Sequence, residues 1–197
     1  MLSMVVWMLT IAASAAGMVL SAALVQPYVH MAIAAAVAVL VAFLAVREAS
    51  EAQARDVGAA MLASIHARYM GLVWAWGALV LILTYPMILQ WRESYTFFIA
   101  FMVAAGLCLF FSATLKKDAA TGEDDPTMLV LSRYLAWGQL VAMLATMVGL
   151  ILDGKMTRFR NPRYTDWAAN DVFFFGALAL VAISWSAVRS TTRTVAR

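Results

Sequence analysis

Six stretches of apolar residues constrain this chain more than any other feature of its sequence. A helix needs about 20 mostly apolar residues to cross the hydrocarbon core of a bilayer, with about 17 as the short limit. The six runs cover residues 2–25, 30–46, 69–89, 95–115, 128–152 and 172–188. Helices satisfy every backbone polar group internally, which is why they can span hydrocarbon. The sequence therefore predicts an all-α, polytopic integral membrane protein folded as a single six-helix bundle.

Composition and charge agree with this class. The chain has 197 residues, of which 64% are hydrophobic and 13% are charged, whereas soluble domains carry about 25% charged residues. The net charge of +3 does not indicate nucleic acid, because the Lys and Arg residues lie beside the apolar runs and form no soluble basic module. The expected partners are the lipid bilayer and other membrane protein subunits, with no nucleic acid.

The Lys and Arg residues also predict an orientation. An even number of spans puts both termini on one side of the membrane. The regions on that side carry nine Lys and Arg residues and the opposite regions carry five. Positive charge is enriched in cytoplasmic loops, so both termini are predicted to be cytoplasmic. The expected location is a bacterial-type inner membrane, crossed several times.

Cysteine and histidine offer little to a metal or a cofactor. The single cysteine, Cys108, excludes an internal disulfide and a cysteine-cluster metal site. His30 and His66 fall near opposite faces of the predicted bundle, so they cannot ligate one haem iron together. His30 alone is a weak candidate for a haem or pigment site, although an interfacial histidine bonded to backbone or water is the more common case. We predict no cofactor and no metal.

The fifth run carries a polar stripe. Four polar residues recur at a spacing of seven: Ser132, Gln139, Thr146 and Asp153. On a helix they fall within about 60° of one another. Small residues occupy the adjoining arc: Gly138, Ala142, Ala145 and Gly149. The first run has a similar polar and small face: Thr10, Ser14, Gly17 and Ser21. We expect the first and fifth runs to line the bundle interior, where these faces could meet.

The stripe has two interpretations. It could form a polar path or ligand pocket with Gln139 near the middle of the bilayer. Alternatively, it could bond neighbouring helices, at about 0.6–2 kcal/mol for each hydrogen bond. Because no Asp, Glu, Lys or Arg lies in the middle of any predicted span, and coupled transport normally uses one there, helix bonding is favoured.

The connection after the fifth run, residues 153–171, is unusually basic and aromatic. Its basic and aromatic residues are Lys155, Arg158, Phe159, Arg160, Arg163, Tyr164 and Trp167. Such a segment can lie on headgroups, with cations on phosphate and rings in the interface. It can also dock a partner, because Arg, Tyr and Trp are enriched in binding hot spots. Headgroup contact is the more common of the two.

The third and fifth runs share a weak internal similarity. In each, an Arg-Tyr pair at the start is followed by a Trp-Gly pair: Arg68-Tyr69 with Trp76-Gly77, and Arg133-Tyr134 with Trp137-Gly138. The spacing between the two pairs differs by one helical turn. The similarity is consistent either with parallel repeats or with chance likeness between membrane sequences.

The sequence contains no catalytic motif of the G-x-S-x-G, H-E-x-x-H or P-loop type. Three functions remain open. We expect a non-catalytic subunit or accessory assembly factor of a larger membrane complex, of the respiratory or photosynthetic type. The alternative is a small-solute transport or substrate-binding component with a cavity lined by the first and fifth runs. An enzyme, the third and least favoured, would have to bring together His30, Arg92, Glu93, Tyr95, Asp153 and Asp171.

Overall fold

The computed structural model describes residues 27–84, 94–152 and 166–195, together with Ala12 and Ala16. Within these ranges the chain is helical apart from the two turns at 55–58 and 122–125. The five helices are α1 (Pro27–Ala54), α2 (Ala59–Thr84), α3 (Ser94–Thr121), α4 (Pro126–Leu152) and α5 (Asp166–Val195). The predicted all-α class is confirmed for this part of the chain.

Four of these helices are long and apolar enough to cross a membrane. The spanning segments are Met31–Ala54, Ile99–Thr121, Pro126–Gly149 and Val172–Thr194. They match the second, fourth, fifth and sixth predicted runs. The third run begins within α2 and continues past its described end, and the first run lies outside the described residues except for Ala12 and Ala16. By length and composition, the protein is a multi-pass membrane protein.

Local sequence determines where the helices end and begin. At the end of α1, Asp56 adopts a left-handed φ of 54°, and the Val57 N–H donates back to the Ala52 carbonyl at 3.2 Å. These are the features of a Schellman ending. At the start of α4, the Asp125 carboxylate accepts a hydrogen bond from the Thr127 N–H at 2.8 Å. A proline occupies the intervening first helical position, where its missing N–H has no cost.

The second helix, α2, is the centre of the bundle. It packs against α1, α3, α4 and α5, whereas α4 packs chiefly against α5. α1 packs more extensively against α5 than against α2, its neighbour in sequence. The largest fully buried side chains include Tyr69, Val73 and Trp76 of α2 and Leu180 and Ile183 of α5. The core therefore lies along α2 and α5.

Both turns and the C-terminal end of α5 lie at the same end of the bundle. The Ser64 hydroxyl, early in α2, bonds the Ser112 carbonyl, late in α3. His66, also early in α2, bonds Ser186, late in α5. We call this the turn end and the opposite end the far end. The Lys and Arg residues of the described part lie toward the turn end: Arg47, Arg55, Arg68, Lys116, Lys117, Arg133, Arg189 and Arg193.

Candidate functional site

Gln139 is the residue of the predicted polar stripe that bonds to neighbouring helices. The residue is 7% exposed. Its amide oxygen accepts a hydrogen bond from the Trp74 indole Nε1 at 3.0 Å, and its amide nitrogen lies 3.5 Å from the Cys108 sulfur. Gln139 thus links α4 to α2 and α3. Its amide is occupied by neighbouring helices, as the helix-bonding interpretation requires.

The rest of the stripe does not form one interior line, contrary to expectation. Ser132 is buried, but its hydroxyl donates to the Leu129 carbonyl of its own helix at 2.8 Å. Thr146 is exposed and donates to the Ala142 carbonyl, also within α4, at 2.8 Å. Asp153 lies outside the described residues. Few residues of the stripe are buried because only a narrow strip of α4 packs against neighbouring helices.

The small residues beside the stripe face outward, which corrects their predicted interior position. Gly138, Ala142, Ala145 and Gly149 are all exposed, and we call this surface the notch. A Cβ atom added at Gly138 or Gly149 would meet no atom within 4 Å. The large apolar residues around the notch are exposed as well, among them Val141. Helix α4 therefore has a broad outer surface with a shallow groove.

Several predicted site residues lie outside the residues that the structure describes. Outside the described ranges are Thr10, Ser14, Ser21, Arg92, Glu93, Asp153, Lys155, Arg158, Phe159, Arg160, Arg163 and Tyr164. Four further residues occupy helical positions whose side chains are not described: His30, Tyr95, Trp167 and Asp171. The single-histidine site, the interfacial enzyme site and the headgroup or partner role of the basic connection therefore stay predictions.

A reciprocal pair of serines joins α2 to α3. The Ser64 hydroxyl donates to the Ser112 carbonyl at 2.7 Å, and the Ser112 hydroxyl donates to the Ser64 carbonyl at 3.0 Å. Both side chains are buried. Hydroxyls that bond across helices allow close backbone approach in a membrane protein. This pair therefore fixes the depth at which α2 and α3 meet.

His66 is a second buried polar link, and the sequence pattern did not reveal its role. It is fully buried within α2. Its Nδ1 lies 2.7 Å from the Leu62 carbonyl, which can only accept, so Nδ1 carries a proton. Its Nε2 lies 3.2 Å from the Ser186 hydroxyl. A neutral ring that accepts from Ser186 satisfies both contacts. His66 therefore fastens α2 to α5.

Glu48 links α1 to α2. Its carboxylate forms an ion pair with Arg68 and accepts a hydrogen bond from the Tyr69 hydroxyl at 2.6 Å. The Glu48 and Arg68 side chains are each about one third exposed, whereas Tyr69 is 2% exposed. Sequence reasoning missed this cluster. In the sequence, the cluster is indicated only by an acidic residue and an Arg-Tyr pair that lie on opposite sides of one turn.

An aromatic cavity of about 200 Å³ lies between α2, α3, α4 and α5, toward the far end. Trp74 meets Phe101 edge to face at 4.5 Å, and Phe101 meets Phe173 at 5.2 Å. Gly77 leaves room for the Phe101 ring, because an added Cβ would lie only 2.8 Å from its Cε1 atom. The fifth predicted run contributes two residues to the walls, Met143 and Thr146. This aromatic lining was not predicted.

Trp76 forms part of the cavity wall, but its indole nitrogen is itself a buried atom. The side chain is 1% exposed, and its indole Nε1 has no hydrogen-bond partner among the described residues. A buried donor left unpaired costs about 1–3 kcal/mol. The other polar groups of the wall, the Trp74 indole and the Thr146 hydroxyl, already donate to protein acceptors. The surface of the cavity is therefore almost entirely apolar.

The rim of the cavity lies between α3 and α4. Ala100 on α3 and Thr146 on α4 line the cavity and are both exposed. These two helices make few contacts with each other. Both residues belong to segments apolar enough to span a membrane. The cavity therefore opens sideways, toward the surface that lipid would cover.

The fold and these contacts define a helical, multi-pass membrane protein. Polar side chains bond its helices together near the turn end, and an aromatic cavity lies toward the far end. Among the residues that the structure describes, no group of three His, Cys, Asp or Glu side chains could hold a metal ion. Comparison of the chain with protein-family models, curated proteins and solved structures finds no match.

Proposed function

We propose that this chain is a non-catalytic membrane subunit or assembly factor of a larger membrane complex. The outward notch on α4, made by Gly138, Ala142, Ala145 and Gly149, is the observation that carries the proposal. Small residues let two helix backbones approach closely, and van der Waals packing of this kind drives association in lipid, where the hydrophobic effect is absent. A second membrane helix is the occupant that such a surface fits.

The occupant is a helix of a different subunit. α4 meets its own bundle along a narrow strip, and its exposed residues extend around the remaining surface, including Trp137, Val141 and Val148. One further helix from the same chain could cover the notch or the exposed residues beside it, but not the whole exposed surface of α4. The complex that would supply the partner is of the respiratory or photosynthetic type.

The same proposal includes six spans, both termini in the cytoplasm, and a bacterial-type inner membrane. The distribution of charge supports the orientation. The described Lys and Arg residues lie toward the turn end, which also holds both described turns and the end of α5. Since basic residues are enriched on the cytoplasmic side, the turn end is assigned to the cytoplasm.

Cysteine cross-linking in native membranes tests the subunit role. In a Cys108→Ala background, Ala142→Cys places a thiol in the notch, and Val103→Cys places one on the exposed surface of α3. We expect a benzophenone maleimide, attached to the thiol and then irradiated so that it inserts into a neighbouring C–H bond, to give one discrete heteromeric adduct from Ala142→Cys and none from Val103→Cys. Introducing Gly138→Leu beside Ala142→Cys should remove the adduct.

Three results would overturn the proposal. An adduct of twice the chain mass would make the notch a contact between copies of this chain. A cross-link within the chain, to residues 2–25, would assign the notch to the first predicted span. An uncross-linked Ala142→Cys chain that extracts as a monodisperse monomer would leave no partner.

A further inference from the structure

We propose that the subunit that packs on the α4 notch presents a carboxylate side chain to Arg133 and Tyr134, at the turn end of that surface. The inference rests on the proposed function and deepens it, because it names the chemical group that the partner helix carries beside the notch. The Tyr134 hydroxyl and the Arg133 guanidinium would both donate to this one acidic side chain.

The contact between α1 and α2 shows how this chain satisfies an Arg-Tyr pair. Glu48 of α1 forms an ion pair with Arg68 and accepts a hydrogen bond from the Tyr69 hydroxyl at 2.6 Å. One carboxylate has two oxygens and can therefore serve both residues of the pair. Because the carboxylate comes from the neighbouring helix, the same interaction also joins two helices near the turn end.

The Arg-Tyr pair of α4 lacks such a carboxylate. Tyr134 is 72% exposed, and its hydroxyl has no hydrogen-bond partner among the described residues. Arg133 donates to the Thr191 carbonyl at 3.3 Å, and within the described part of the chain it forms no ion pair. A guanidinium has five N–H donors, so this single bond leaves donors for an acidic partner.

Tyr134 lies at one end of the notch and on the same face of α4. Tyr134 and the four notch residues follow one another along the helix at spacings of four, four, three and four. Such spacings place residues on one face of a helix, and all five residues are exposed. A partner helix that fills the notch therefore passes the Tyr134 side chain where it reaches the turn end.

Charge favours a different subunit over the first predicted run as the source of the carboxylate. Residues 1–26 contain no Asp or Glu, so a helix formed by the first run could not supply it. The described Lys and Arg residues lie toward the turn end, and an acidic side chain of a partner would be complementary to that charge. The group that fits this end of the notch is an Asp or Glu of another chain.

Zero-length cross-linking in native membranes tests the inference. Tyr134→Lys replaces the phenol with an amine, and a carbodiimide joins an amine to a carboxylate only where the two are in contact. We expect one heteromeric amide adduct, which joins residue 134 to an Asp or Glu of the partner that the Ala142→Cys photoadduct captures. Arg68→Lys is the positive control, because its amine should couple to Glu48 within the chain. Ala113→Lys, exposed late in α3, should give no heteromeric adduct.

Two further substitutions, each combined with Ala142→Cys, measure the contribution of the pair. Tyr134→Phe removes the hydroxyl and Arg133→Gln removes the charge. Each should lower the yield of photoadduct at least about threefold, the factor associated with one hydrogen bond between membrane helices. Arg189→Gln removes a charge from an exposed residue at the same end of the bundle and should leave the yield unchanged. Each variant is first checked for a wild-type unfolding midpoint.

Failure of this inference is distinguishable from failure of the subunit role. An Ala142→Cys photoadduct whose yield is the same in Tyr134→Phe and Arg133→Gln, with no carbodiimide adduct from Tyr134→Lys, would overturn the inference and leave the subunit role in place. A carbodiimide product with phosphatidylserine alone would also overturn it and would assign the pair to lipid headgroups.

Absence of any heteromeric Ala142→Cys photoadduct would overturn the subunit role and the inference with it. If Arg133→Gln does not fold, the two substitutions at Tyr134 still decide, because this side chain is exposed and its replacement leaves the packing of α4 intact.

Discussion

Helices α2 and α4 carry the same pairs of residues in opposite environments. Each has an Arg-Tyr pair early in the helix and a Trp-Gly pair later. In α2, Tyr69 is 2% exposed and Trp76 is 1% exposed. In α4, Tyr134 is 72% exposed and Trp137 is 47% exposed. The difference shows that the number of neighbouring helices, rather than residue identity, decides whether such a pair becomes core or outer surface.

The glycines of the two helices differ in the same way. A Cβ atom added at Gly71 of α2 would lie 2.9 Å from the Leu109 Cγ atom and 3.3 Å from the Ala105 carbonyl oxygen. The same addition at Gly138 or Gly149 of α4 meets open space. Glycine therefore permits the close approach of α2 and α3, whereas on α4 it leaves a surface that is free of contacts among the described residues.

The largest effect should come from removing the carboxylate that joins α1 to α2. Glu48→Leu removes the partner of Arg68 and a hydrogen bond of Tyr69, and it should lower the free energy of unfolding by about 2–3 kcal/mol. Denaturant unfolding in detergent, followed by circular dichroism, measures the change. Glu51→Leu is the control, because its ion pair with Arg47 is exposed and should contribute nothing measurable. Equal losses would show that Glu48 acts only as a surface charge.

The second-largest effect should come from adding one methyl group, which should destabilise the protein when added on α2 but not on α4. Gly71→Ala forces Leu109 or the α3 backbone to move, and we expect a loss of about 1–2 kcal/mol in the free energy of unfolding. Gly138→Ala should be neutral or stabilise by up to about 1 kcal/mol, because alanine is the better helix former. The same detergent unfolding assay compares them. A stabilised Gly71→Ala variant would mean that the α2–α3 contact is looser than described.

The smallest effect should come from the polar contact that α4 makes with the core. Gln139→Leu removes the acceptor of the Trp74 indole and should cost about 0.6–1.7 kcal/mol. Thr146→Val, which removes a hydroxyl bonded within its own helix, should change the unfolding midpoint little. Near-ultraviolet circular dichroism should detect the altered Trp74 environment only in Gln139→Leu. If Thr146→Val were the more harmful change, the hydroxyl would have a partner beyond α4.

The sequence predicts the positions of the helices better than it predicts which face of each helix is buried. Hydrophobic length alone located the four spanning segments found among the described residues. Helix α3 nevertheless continues through Lys116 and Lys117 to Thr121, because a helix does not end where its apolar residues end. The heptad spacing correctly placed Gln139 inside. It could not place Thr146, since which arc of a helix is covered depends on where neighbouring helices sit.

The candidate site was beyond sequence reasoning for a related reason. Trp74 and Trp76 have the composition of membrane-interface residues, and only the packing of α2 against three other helices turns them into a cavity wall. His66 likewise reads as a residue ahead of an apolar run. Its burial follows from α2 starting at Ala59, ten residues before the third apolar run.

The packing of α1 mainly on α5 has a consequence for synthesis of the chain. The segment that leaves the ribosome before α2 finds its principal described partner only when α5, the last described helix, has been made. Until then α1 must remain in the bilayer with only its smaller contact to α2, which includes the bonds of Glu48 to Arg68 and Tyr69. A chain truncated before Asp166 should therefore be inserted yet be cleared by membrane proteases, because its first described helix has lost its main support.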